Sequence, residues 1–143
     1  MTSARDGGPP LSTRTTLRPN TVISAQSMAT SITSEVTILQ SLTKPSYSVT
    51  WAGTNPSGTL EVQASDDYAL SANGQTVANA GTWNTMPLVL NGVSVTSIPI
   101  SGNTGNGMID IESLSAYAVR LVYTPGDAPG TGVMSAIINA KVA

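Results

Sequence analysis

Cysteine, histidine and phenylalanine are all missing from this chain of 143 residues. Without Cys there is no disulfide and no thiolate, and the redox compartment is left undetermined. Without His the commonest general base and the commonest metal ligand are gone. Charge is scarce too: 10% of residues carry one, against roughly 25% in ordinary domains. No apolar run approaches the roughly 18–20 residues of a membrane-crossing helix. The opening MTSARDGGPP lacks the hydrophobic stretch of a secretory signal, so the chain is expected to fold in a cytosol. Catalysis is left with few tools, and interaction becomes the expected mode of action.

In place of these residues stand 18 Ser and 19 Thr. Hydroxyls, small apolar residues and glycine make a surface suited to packing against other proteins. The hydrophobic fraction of 40% and a mean hydropathy of +0.08 describe a globular chain, not a disordered one. A body of about 120 residues buries roughly two-thirds of its unfolded surface. The net charge of −2 is unevenly placed. Arg5, Arg14 and Arg18 outnumber Asp6 near the start; later, seven acids outnumber Lys44, Arg120 and Lys141. Three arginines so widely spaced, with no aromatics between them, are a poor nucleic-acid footprint.

Residues 1–20 read as an extended arm, and residues 21–143 as the body. The arm holds Gly7, Gly8, Pro9, Pro10 and Pro19, with Leu11 and Leu17 its only sizeable apolar side chains after Met1. Such a segment buries too little to offset its own ordering. It is expected to be held by a partner or to lie along its own domain.

The body follows period two. Tyr47, Val49 and Trp51 alternate with small polar residues; Leu60, Val62 and Ala64 do the same after Asn55-Pro56-Ser57-Gly58, and the pair reads as a hairpin. Val93–Ile100 alternates as well, with Pro99 favouring a sheet edge. Met108–Ile111 reads as a short strand after a glycine-rich Gly102–Gly107 loop. Tyr117, Val119, Leu121 and Tyr123 share one face, and after the turn at Pro125–Gly130 the chain returns with Met134, Ala136, Ile138, Ala140 and Val142 on one face. Ile32, Val36 and Leu39 have helical spacing, but β-branched neighbours make Ser34–Leu39 a predicted strand. The expected fold is all-β: a jelly roll or β-sandwich of roughly seven to nine antiparallel strands.

Few groups invite chemistry. Asp66-Asp67 and Asp110-x-Glu112 are the only close acid pairs; the first sits where turns place Asp, and the second shares one wet strand face. The Asn103–Asp110 run offers oxygen donors without the acid spacing of a calcium loop, and the glycines lack phosphate-cradle spacing. No catalytic, cofactor or metal site is expected. Trp51 belongs with Tyr47 and Val49 in the core. Trp83, in a Gly/Asn/Thr segment, fits either a closed sandwich end or an interface.

The run Thr50-Trp51-Ala52-Gly53-Thr54, followed by Gly58-Thr59-Leu60-Glu61-Val62-Gln63-Ala64-Ser65-Asp66-Asp67, resembles a W-x-G-T-x-x-x-G-T-L-x-V-Q-x-S-x-D pattern of small tailed-phage virion proteins. Thr82-Trp83, Tyr117–Thr124 and the ending Gly130-x-Gly132-x-x-x-Ala136-x-x-x-x-Lys141 continue the likeness over roughly residues 45–143. Among these proteins the chain is most similar to capsid cement, or decoration, proteins. The resemblance implies a jelly-roll subunit on the outer surface of an HK97-type shell, made in the host cytoplasm, that ties neighbouring major capsid proteins together. It implies a homo-oligomer, a dimer before a trimer, with no active site, nucleic acid or membrane partner. Arg5, Leu11, Arg14, Leu17 and Arg18 of the arm are the candidate capsid contacts, on their chemistry alone. The alternative is a receptor- or glycan-binding module of a tail fibre or spike; a polysaccharide-degrading spike enzyme is the remote third.

Overall fold

A computed structural model describes residues 16–39, 42–90, 92–111 and 116–141, and the side chains from Pro19 onward except at 89 and 90. Among the described residues the chain is all-β, and every strand pairing is antiparallel. The larger strands are β1 (Thr16–Ser27), β4 (Lys44–Thr54), β5 (Gly58–Ser65), β12 (Thr104–Asp110), β13 (Ala118–Pro125) and β14 (Thr131–Lys141). Shorter ones are β2 (Ile32–Thr33), β3 (Thr37–Ile38), β6 (Ala69–Leu70), β7 (Val77–Asn79), β8 (Asn84–Thr85), β9 (Leu88–Leu90), β10 (Val93–Val95) and β11 (Ile98–Ile100).

A four-stranded sheet has the order β12-β4-β14-β1. A six-stranded sheet is built on the central pair β5–β13. The free side of β5 is shared by β11 and β8, and that of β13 by β2 and β3. Strands β6–β7 and β9–β10 form two small hairpins between β5 and β11. Inward side chains of both large sheets meet in one cluster, with Tyr47, Val62, Val119, Leu121, Tyr123, Met134 and Ile138 each at most 0% exposed. This is the layered arrangement of a β-sandwich, in which each large side chain withdrawn from water contributes about 1.5–3 kcal/mol.

The expected hairpin of Tyr47–Trp51 with Leu60–Ala64 does not form. β4 lies in one sheet and β5 in the other, and β13 and β14 are divided in the same way. Alternation reports that one face of a strand is buried; it carries no information about which strand lies alongside. Residues 55–57 and 126–130 are therefore arches between sheets, joined at the same end by residues 28–31 and 101–103. The arches hold one another. Gly126 N donates to Ser57 O at 2.9 Å, Tyr123 OH to the same carbonyl at 3.0 Å, and Asn55 N to Asn103 Oδ1 at 2.7 Å.

Three further expectations change. Of the predicted strand Ser34–Leu39 only Thr37–Ile38 (β3) is strand, with β2 just before it; in the gap Ser34 supplies by its side chain what a strand supplies by its backbone, its Oγ accepting from the buried Leu121 N at 2.9 Å. The Gly102–Gly107 loop is strand from Thr104 onward, paired in unbroken register with β4. Glycine here meets a packing need, since a Cβ on Gly105 would stand 2.3 Å from the Trp51 ring. Tyr117, expected in the core, is 40% exposed. It precedes β13, and its backbone is spent on the bend, accepting from Leu39 N at 2.8 Å and donating to Asp66 Oδ1 at 3.3 Å.

Candidate functional site

The outer faces of the two sheets are built differently. On the six-stranded sheet, alternation directs Glu61 and Gln63 of β5 and Arg120 and Val122 of β13 outward, with Gln63 opposite Arg120. These groups satisfy one another. Arg120 Nε donates to Gln63 Oε1 at 2.8 Å, Gln63 Nε2 to Glu61 Oε1 at 3.1 Å, and Thr85 Oγ1 to Glu61 Oε2 at 2.8 Å. The segment after β5 folds back over this face. Trp83 brings its ring under the Arg120 guanidinium, 4.2 Å from ring centre to Cζ, and its Nε1 donates to Ala80 O at 2.9 Å. Partial burial lowers the Arg120 pKa from its ordinary value, and Glu61 opposes that shift.

Asp67 fastens the returning segment. It accepts from Thr82 N at 2.6 Å and from Ser65 Oγ at 2.8 Å, and these bonds hold its carboxyl below the usual carboxylate range. Asp66 accepts from Tyr117 N. The first acid pair is thus occupied in turns. Of the second, Asp110 is exposed and Glu112 lies outside the described residues.

The four-stranded sheet carries no such cover among the described residues. Its outward positions are Thr104, Asn106, Met108 and Asp110 on β12, with Ser46, Ser48, Thr50 and Ala52 of β4 alongside. On β14 they are Val133, Ser135, Ile137, Asn139 and Lys141. Short side chains on β4 leave the middle of the face flat. The register sets Met108 and Ile137 on either side of Ser48 in one row, 72% and 41% exposed, with Val133 at 47% nearby. Charge is confined to one end, where Lys44 stands directly opposite Lys141 and Asp110 lies beside Ser46. These are the chain's two lysines. With Ser46, Met108, Asn139 and the carboxylate of Asp110 they line a shallow concavity of about 280 Å³, two cations to one anion. Like charges directly opposite across a ladder repel, which leaves this corner open to an acidic group from outside.

Of the arm candidates, Arg5, Leu11 and Arg14 lie outside the described residues. The backbone of Leu17 and Arg18 belongs to β1, Leu17 opposite Ala140, so residues 16–20 of the expected arm are part of the four-stranded sheet. Trp51 is half-buried against the core cluster, with its Nε1 buried and unpartnered. Trp83 fastens a loop to a sheet face, which neither a closed sandwich end nor an open interface describes. Sequence reasoning passed over Met108, Val133 and Ile137. Their signal was present, since each is a large apolar residue at an outward position of an alternating strand.

Compared with family models, curated proteins and solved structures, the chain matches none.

Proposed function

We propose that this chain is a structural virion protein, a jelly-roll cement subunit that binds the outside of an HK97-type phage shell and ties neighbouring major capsid proteins together. The strand order supports the jelly-roll reading. β1, β14, β4 and β12 make one sheet, β2/β3, β13, β5 and β11 the other, and with β2/β3 counted as one strand every connection in this set except β5 to β11 crosses between sheets, as in two Greek keys.

The observation that carries the functional reading is the bare outer face of the four-stranded sheet. Interface centres are depleted of charge and enriched in Met and aromatic residues. The row Met108–Ser48–Ile137 has that character and can be covered without stripping water from an ion. The lysine corner then takes an acidic group of the capsid. Thr16 pairs with Lys141, so the arm joins the body at this same corner, and Arg5, Leu11 and Arg14, which precede β1, extend the contact to a neighbouring subunit. Up to roughly 3.3–3.6 Å of reach per extended residue is enough for that. The tail-fibre reading calls for aromatic faces open to sugar. Trp83 is covered by Arg120, and Trp51 packs on Gly105 and the core.

Mixing the protein with shells assembled without it, then sedimenting the shells, tests the reading. The intact chain is expected to pellet with shells. Met108→Asp combined with Ile137→Asp stays in the supernatant while keeping the circular dichroism of the parent, and deletion of residues 1–15 weakens binding. A double variant that pellets as well as the parent would overturn the assignment of this face; an intact chain that never pellets would overturn the cement reading.

A further inference from the structure

The two edges of the four-stranded sheet differ in a way that names a partner. On the β1 edge, the pairing with β14 is interrupted by three register shifts, Ala25 has a φ of 47°, and Pro19 lies within the strand. Bulges and proline are the devices by which sheet edges avoid pairing with other chains. The β12 edge has none of them. Its seven residues pair with β4 in unbroken register, and no strand among the described residues pairs with its other side.

Two hydrogen bonds set the direction of every backbone group on β12. Gly53 N donates to Asn103 O at 2.7 Å, and Ile111 N donates to Pro45 O at 3.1 Å. In this register the odd-numbered residues exchange bonds with β4. The N–H and C=O groups of Thr104, Asn106, Met108 and Asp110 therefore point away from the sheet, along the free edge. The four residues are centred on Gly107, so the row of donors and acceptors is its own complement under a two-fold axis through that glycine.

We infer that β12 is a self-association edge: it pairs antiparallel with β12 of a second copy about Gly107, joining two four-stranded sheets into one of eight strands. Thr104 then exchanges both backbone bonds with Asp110 of the other copy, and Asn106 with Met108. No like charges meet, because each copy's single acid in this strand lies opposite a threonine. Glycines at 105 and 107 keep the inward side of the junction clear; a Cβ on Gly107 would meet nothing within 4 Å. An apolar cleft of about 280 Å³ lined by Trp51, Leu60, Ile98, Ile100 and Met108 reaches Asn106 and Gly107 at the same junction. The inference concerns the free protein and stands apart from the capsid reading.

A single cysteine tests it cleanly in a chain that has no other. At the axis, Gly107 faces its counterpart in a non-hydrogen-bonded pair with Cα atoms about 4.5 Å apart, within the roughly 4.4–6.8 Å that a disulfide spans. Oxidised Gly107→Cys is expected to run as a covalent dimer. Thr104→Cys places the two thiols roughly 20 Å apart at about 3.4 Å per residue and is expected to stay uncrosslinked. Asn106→Pro removes one outward N–H that the monomer does not use. It should sediment as a monomer at concentrations where the unaltered chain sediments as a dimer, with the same circular dichroism. An unaltered chain that is monomeric at every concentration, with Gly107→Cys uncrosslinked, overturns the inference. Crosslinking of Thr104→Cys as readily as Gly107→Cys overturns the register.

Discussion

The four-stranded sheet holds itself together from within, whereas the six-stranded sheet is also fastened from outside. β4 pairs along its whole length with β14 and over seven residues with β12, through backbone ladders that ask nothing of the outward side chains. Those positions are left to Ser, Thr, Ala and a few exposed apolar residues. The six-stranded sheet has two long strands flanked by fragments of two or three residues, too short to be stable alone. Side chains make up the difference: Ser34 bridges the gap between β2 and β3, and the Glu61–Gln63–Arg120–Trp83 cluster with Asp67 fastens the returning loop. Where backbone pairing suffices, an outer face is released for another purpose; where it does not, the face is consumed by the fold.

Substitutions that separate inside from outside sharpen this contrast. Trp51→Ala removes the largest inward side chain of β4 and is expected to cost about 3 kcal/mol, the low end for aromatic truncations in cores, since the ring is half-buried. Chemical denaturation measures it, and a loss near zero would mean that the ring contributes little to the inner packing. Ser34→Ala strands the buried Leu121 N–H and should cost about 1–3 kcal/mol. An equal loss from Ser48→Ala, on the bare face, would erase the distinction between the two sheets.

Tyr47→Phe has the opposite sign. The phenol is fully buried, its oxygen has no hydrogen-bond partner, and burial pushes its pKa far up. Removing the hydroxyl is expected to stabilise the protein by about 1 kcal/mol, visible as a higher melting temperature. A lower one would show that the hydroxyl is satisfied in solution.

Asp67 supplies a pH test of the fastened face. Its folded pKa lies below the unfolded value of about 3.9, so its contribution is complete above that value and is lost as pH falls through the folded pKa. The Thr82 amide resonance should shift over that acid range, and Asp67→Asn should abolish the shift. A shift centred at or above the unfolded value would contradict the bonding described. The smallest effect on stability is expected from Met108→Ser with Ile137→Ser, within about 0.5 kcal/mol as for surface sites generally. A loss of several kcal/mol would show that the bare face is part of the fold's own support.

Much of the inner packing was legible before the structure, because burial of one strand face writes itself into the chain as period two. Tyr47, Val49, Leu60, Val62, Val119, Leu121, Tyr123, Met134, Ala136, Ile138 and Ala140 are buried as the alternation implies. Tyr117 departs from it because the strand begins one residue later, and the bend before β13 claims its backbone. The outer apolar row was written in the same alternation, in residues of the wrong polarity for their parity. Trp83 left no such mark, since nothing local announces that a guanidinium from a strand distant in the chain will cover its ring.

The residue order alone determined that the chain is all-β, which side chains of β4, β5, β13 and β14 turn inward, and that its charge is sparse. These follow from local sterics and the pleat, which repeat every two residues wherever the strand lies. Only the tertiary structure decided which strands are neighbours, that the turns at 55–57 and 126–130 are arches, and that the Gly105–Gly107 segment is a strand edge. Pairing partners are chosen by how two whole sheets close over one core, a choice made by distant residues acting together.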